Sequence, residues 1–299
     1  MAYVHLNGSF MSAEQARISP MDRGFLFADG IYEVIPAFNA VPFRLDEHLR
    51  RLQRSLDAVQ LPNPHSAKVW QALCMEMIAR NGGGNISIYL QITRGAPERR
   101  DHAFPAPPVS PTVFMATSPI AASAISNADT ASGAAAIVAQ DTRWARCDIK
   151  SVALLPNILL RHQAVSVGAV EAILVRDGFV TEGSSTNVFI AKAGRIVTPP
   201  RTHKILAGVT RGLVIELCRD LEFPLLEQEV PEEQLRDADE IWITSSSKDA
   251  LPIVSLDGRR VGNGSPGPLW RKLARHFCEF KRAECGVPRR ADAAARGNN

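Results

Sequence analysis

The sequence predicts an α/β (α+β) protein of two domains, and three observations carry that expectation. The chain has 299 residues, against roughly 150 for a common domain. Apolar residues recur with the helical period in some stretches and alternate with polar ones in others. A small, polar, Ala/Ser-rich stretch, 118–133, divides the chain as an interdomain linker would. The parts are then a smaller N-terminal α+β domain, 1–117, and a larger C-terminal mixed β/α domain, 134–285. The closing stretch, 286–299, is rich in Arg, Ala, Gly and Asn and is expected to be disordered.

The elements follow in order. Ala2–Asn7 and Ser9–Met11 flank Asn7-Gly8, a hairpin signal. Asp46–Val59 places Leu49, Leu52, Leu56 and Val59 on one helical face, with Asp46 as its candidate cap. Ala67–Arg80 is a second amphipathic helix, stopped by the three glycines of 81–85. Ile86–Thr93 alternates as a half-buried strand does, and Thr112–Thr117 resumes as a strand after the prolines of 105–111. Strand-like runs then occupy 134–139, 171–175, 187–190 and 240–244, and helical patterns occupy 156–167, 210–220 and 269–282.

Composition excludes several classes. Hydrophobic residues at 45% and charged residues at 22% are ordinary for a globular protein, and a chain this long can bury a core without metal or disulfide staples. A net charge of +3 is too small and too scattered to point to nucleic acid. The cysteines, 74, 147, 218, 278 and 285, are odd in number and far apart, with no zinc spacing, and read as free thiols of a reducing compartment. No basic leader opens the chain, and no stretch of roughly 20 apolar residues suggests a membrane helix. A soluble, cytoplasmic protein without a metal site is expected.

Reactive groups are few. Lys68, Lys192, Lys272 and Lys281 read as solvated surface charges, while Lys204 and Lys248 lie in loops. Lys150 lies where Arg143–Ile149 leads directly into the apolar Val152–Leu155, so its ammonium is either snorkelling or desolvated, and a desolvated lysine is the better Schiff-base nucleophile. Glu182 is the one carboxylate of a hydroxyl-rich turn, Thr181–Asn187. A Gly208-Val209-Thr210 helix start offers free backbone N–H groups to an anion, and Thr244–Ser247 adds hydroxyls. Each is also a plain surface lysine, a polar turn or an ordinary helix start when read alone.

Their order in the chain resembles D-amino-acid aminotransferases of the class IV, fold type IV, pyridoxal-phosphate (PLP) enzymes. The resemblance is carried by Asp141–Ser151 around Lys150, by Asp22–Phe25 and Asp29–Val34, by Glu47-His48 with Arg51-Leu52, and by Thr181–Phe189, Leu206–Arg211 and Thr244-Ser245. It implies a PLP site in a cleft between two domains. Lys150 would hold PLP as a Schiff base and shuttle the proton, and Glu182 would pair with the pyridine nitrogen. Arg51, Val209, Thr210, Ser245 and Ser246 would cradle the phosphate, and Leu206 would pack on the ring. Tyr32 with the Arg-x-His loop of Arg94–Pro105, through Arg100 and His102, would grip the substrate carboxylate. The loop's length leaves Arg99 open as the alternative to Arg100. The family supplies this loop from a neighbouring subunit, which implies a homodimer. The reaction implied is amino transfer from a D-amino acid such as D-alanine to a 2-oxo acid such as 2-oxoglutarate or pyruvate. Branched-chain L-amino-acid or (R)-amine transamination, and aminodeoxychorismate lyase chemistry, are the alternatives within the class.

Overall fold

Asn7 and Gly8 both take positive φ, 48° and 90°, and so close the hairpin between β1 (Tyr3–Leu6) and β2 (Ser9–Ser12). The hairpin begins a six-stranded antiparallel sheet in the computed structural model, which describes residues 2–286. After the short helix α1 (Arg23–Phe27) come β3 (Gly30–Phe38), β4 (Val41–Pro42), helix α2 (Leu45–Ala58), helix α3 (Ala67–Arg80), β5 (Ile86–Thr93) and β6 (Thr112–Pro119). The strand order is β2-β1-β6-β5-β3-β4. Leu52 and Leu56 of α2 and Trp70, Cys74 and Met77 of α3 are buried in one cluster with Ile31, Ile35, Ile88, Leu90 and Ile92 of the strands. Their helical spacing is what the amphipathic pattern requires.

One local expectation needs correction here. Asp46 does not cap α2: Arg44, at φ 56°, is the N-cap, and Asp46 sits in the first turn, where its charge suits the helix dipole. Ser66, by contrast, caps α3 by accepting the Val69 N–H, and Gly82, Gly83 and Gly84 all follow at positive φ.

The second sheet holds β7 (Ala134–Gln140), β8 (Glu171–Arg176), β9 (Phe179–Gly183), β10 (Asn187–Lys192), β11 (Arg195–Thr198), β12 (Leu225–Glu227), β13 (Val230–Pro231), β14 (Glu240–Ser245), β15 (Asp249–Leu256) and β16 (Arg259–Arg260). Its path runs β12-β11-β10-β14-β15-β7-β8-β9-β13, with β16 on β15, and mixes parallel and antiparallel pairs. Helix α4 (Leu155–Ser166) packs on β7 and β8, and α5 (Val209–Asp220) on β14 and β15. Helix α6 (Glu232–Arg236) is short. Helix α7 (Pro268–Cys285) is capped by Glu240, whose carboxylate accepts the Leu269 and Trp270 N–H groups.

The described residues group into two compact units. One joins 2–121 with 149–153 and 281–286; the other joins 122–148 with 154–280. Between β6 and β7 a 3-10 turn, Ala124–Asn127, buries Ile125. The tail expected at 286–299 lies outside the described residues save for Gly286. The five cysteines are free thiols, four of them buried. Lys281, read from sequence as solvated, is buried instead: its ammonium lies 3.7 Å from the Phe38 ring centroid. Among the described residues, no helix is long and apolar enough to cross a membrane.

Candidate active site

Lys150 belongs to the short stretch that groups with the first unit. Its carbonyl accepts the Tyr32 N–H at 2.9 Å, its own N–H donates to Ser55 Oγ at 3.3 Å, and Val152 N–H donates to the Gly30 carbonyl at 3.1 Å. The backbone is thus fixed against β3 while the side chain stays half-buried. Its Nζ stands 4.1 Å from the centroid of the Tyr32 ring, which stacks on Tyr89. Among the described residues Nζ makes no hydrogen bond or ion pair. An amine held over an aromatic face, with no acceptor engaging it, is available to a carbonyl.

Arg51, on α2, donates Nε and Nη2 to the two oxygens of Glu33 at 2.7 and 2.8 Å, and His48 Nδ1 lies 2.8 Å from Glu33 Oε2. All three are buried. Burial alone would push the Glu33 carboxyl up, but the Arg51 charge and the hydrogen bonds from Arg51 and His48 hold it well below the usual range. Burial keeps the His48 imidazole below its ordinary value, against the pull of Glu33. Arg51 is therefore locked as a cation. Sequence reading named Arg51 and missed Glu33 and His48 as its anchors. The available signal was a lone acid, Glu33, in the apolar run 30–38.

The substrate-loop residues Arg100 and His102 are exposed and flank Phe27. Among the described residues no hydrogen bond or ring contact joins either of them to Tyr32.

In the second unit, Glu182 is the penultimate residue of β9 and is 5% exposed. Its Oε1 accepts from Arg143 Nη1 at 2.5 Å, and its Oε2 from Asn187 Nδ2 at 2.9 Å and the Leu206 N–H at 3.0 Å. Burial pushes its carboxyl up to about 7, against the pull of Arg143 and the Leu206 N–H. Arg143 is itself gripped by Asp141, which also takes the Thr181 hydroxyl and Arg176. Arg143 and Asn187 escaped sequence reading, since their partner lies 39 residues away in one case and in the same polar turn in the other.

Val209 and Thr210 open α5 behind Gly208, which has no side-chain cap, and the first turn carries no acid. A Cβ on Gly208 would come within 2.0 Å of Asn187 Oδ1, so this approach needs glycine. Ser245 ends β14, and Ser245 Oγ accepts the Lys248 N–H in the turn with Ser246. Thr244, opposite Asn187 across β14 and β10, is buried, and its hydroxyl has no hydrogen-bond partner among the described residues. The structure thus groups Tyr32, Arg51 and Lys150 in one unit, and sets Glu182, Leu206, Val209, Thr210, Ser245 and Ser246 in the other.

Comparison with known proteins bears on this arrangement. D-alanine aminotransferase of Bacillus licheniformis is 39% identical over 270 residues, covering 90% of this chain and 94% of that protein. The branched-chain amino acid aminotransferase of Escherichia coli superposes with a TM-score of 0.85 at 26% identity, covering 95% of each chain. The branched-chain aminotransferase of the thermophilic archaeon Thermoproteus uzoniensis, solved with norvaline, superposes at 0.83 and 27% identity, covering 96% of each chain. The fold expected from sequence, type IV, is the one observed. The family model for class IV amino-transferases matches residues 30–256, three-quarters of the chain. The chain belongs to the class IV aminotransferase family.

Proposed function

We propose that the chain is a PLP-dependent D-amino-acid aminotransferase, moving the amino group of D-alanine or a similar D-amino acid to a 2-oxo acid such as 2-oxoglutarate or pyruvate. The observation that carries this reading is the likeness to a D-alanine aminotransferase along nine-tenths of the chain.

The residues fit the cofactor. A carboxylate offers about four lone-pair sites, and Glu182 has three protein donors, leaving room for a protonated pyridine nitrogen. A buried carboxyl pushed up to about 7 is one that a nearby cation would relieve. The uncapped start of α5 and the partnerless Thr244 hydroxyl suit a phosphate. When bound, PLP supplies an electron sink for the substrate α-carbon.

Around it the chain's own groups would divide the work. Lys150 Nζ would hold the cofactor and then move the proton from the substrate α-carbon. Glu182 would keep the pyridine nitrogen charged, with Leu206 packed on the ring. Arg51, the Val209 and Thr210 N–H groups, the Thr210 hydroxyl, Ser245 and Ser246 would hold the phosphate. Tyr32, Arg100 and His102 would bind the substrate carboxylate. Arg100 is favoured over Arg99 because its guanidinium has a fixed seat on Phe27.

A homodimer in the cytoplasm completes the reading. Leu155, Ile158, Leu159 and Val165 expose 53–66% of their surface on α4, an apolar stripe that a second copy would cover. That no hydrogen bond or ring contact joins the loop side chains to Tyr32 among the described residues also supports a loop donated across a dimer. Branched-chain L-amino acids are the second reading, favoured by the structural likeness to branched-chain enzymes.

The test is a spectrum of the PLP-loaded protein before and after D-alanine, L-alanine and L-leucine. Bleaching of the visible band by D-alanine alone is the expected result. Bleaching by L-leucine alone would establish the second reading in its place.

A further inference from the structure

The loop that presents Arg100 and His102 is exposed, yet its backbone is pinned from beneath by one buried side chain. Arg23, on α1 and 3% exposed, donates Nη1 to the carbonyls of Asp101 at 2.5 Å and Ala103 at 3.1 Å, and Nη2 to that of His102 at 3.2 Å. Its Nε is held by Asp29 at 2.7 Å. The same Asp29 oxygen takes Arg94 Nε at 2.8 Å, and the Arg94 guanidinium lies 3.7 Å from the Phe104 ring centroid. Both sides of the loop therefore rest on one carboxylate.

The side chains are set by Phe27. The Arg100 guanidinium lies 4.5 Å from its ring centroid, that of Arg23 4.9 Å, and the His102 ring 5.1 Å at 42°. Among the described residues neither Arg100 nor His102 donates a side-chain hydrogen bond. A guanidinium seated by its face keeps its N–H edge for a planar anion. The loop is thus ordered while its donors remain unspent.

We propose that Phe27 and Arg23 are positioning residues for the substrate carboxylate: Phe27 orients Arg100 and His102, and Arg23 fixes the 101–103 backbone, so that the carboxylate grip exists before substrate arrives. This rests on the amino-acid substrate proposed above. Such pre-ordering removes a cost from binding and leaves the chemical step alone. Its signature is a change in KM without a change in kcat.

The experiment compares PLP-loaded wild type with Phe27→Leu, Phe27→Tyr and Arg23→Lys. It reads KM and kcat for D-alanine, and the inhibition constant of propionate, a carboxylate without an amine. Phe27→Leu should raise KM and the propionate constant in parallel, about 5- to 20-fold, with kcat within about twofold and the cofactor spectrum unaltered. Phe27→Tyr, which keeps the ring, should restore both. Arg23→Lys keeps the charge on Asp29 but cannot span three carbonyls, and should move the same two constants, including where Phe27→Leu fails to fold. A fall in kcat alone, or in melting temperature alone, with both constants unchanged, overturns the proposal. Should the wild type not consume D-alanine, the substrate assignment fails, and the propionate constants still decide the role of Phe27.

Discussion

Glu182 and Lys150 are the residues whose removal reports most directly on the chemistry. Lys150→Ala should abolish the visible band of the loaded protein and lower turnover at least about 100-fold, as absorbance and a coupled pyruvate assay would show. Glu182 yields a sign that can be checked without cofactor. Its carboxyl rises from 4.5 to about 7 on folding, so the folded chain binds the extra proton and the cofactor-free protein loses stability as pH climbs from 4.5 through 7. The loss amounts to at most about 3 kcal/mol. Melting curves between pH 5 and 8 should therefore show a steeper decline for wild type than for Glu182→Gln; parallel curves would contradict the burial argument. Lys150 was legible in the sequence because lysines are few and this one adjoins an apolar run. Arg143 and Glu33 were not, because a charge pair closed over 39 or 18 residues leaves no local pattern.

At the level of elements, α1 shows how a short motif can hold several strands. Asp22 caps the helix by accepting the Gly24 N–H, and its Oδ2 accepts the hydroxyls of Thr93 on β5 and Thr112 on β6. A Cβ on Gly24 would come within 2.3 Å of Thr93 Cγ2. Asp22→Ala should cost about 2–3 kcal/mol, the cap plus two buried hydroxyls left unpaired, and Gly24→Ala should also destabilise, since helix and strand must part. Thermal denaturation of the two variants tests this; a shift within error for both would show that the motif is not structural. Helix α3, with its glycine stop after Arg80, was readable to the residue, though its Ser66 cap was not. Strand β3 was not assigned from sequence, because Pro36 and the buried Glu33 interrupt its alternation and only the pairing with β5 reveals it.

The molecule as a whole is where the proposed homodimer can be tested. The α4 stripe of Leu155, Ile158, Leu159 and Val165 has the helical spacing of a core face but stays exposed among the described residues. Leu159→Asp should shift a dimer toward monomer in size-exclusion chromatography with light scattering, and should weaken D-alanine turnover if the loop is donated across the interface. An unchanged dimer would move the interface elsewhere. In the sequence this stripe looked like any amphipathic helix; which apolar faces stay uncovered depends on packing that no local window contains.

The stretch that carries Lys150 has one more consequence, for biosynthesis. It meets the leading edge of β3 in an isolated antiparallel bridge, Ser151 to Ile31, with the Tyr32 N–H on the Lys150 carbonyl and the Val152 N–H on that of Gly30, and Lys281 closes over Phe38 from the end of α7. A ribosome delivers β3 long before either, so the leading edge of β3 and the Phe38 ring wait uncovered in the nascent first unit. The first unit therefore completes its described contacts only once 281–286 has been made, unlike a domain that folds N-terminal first.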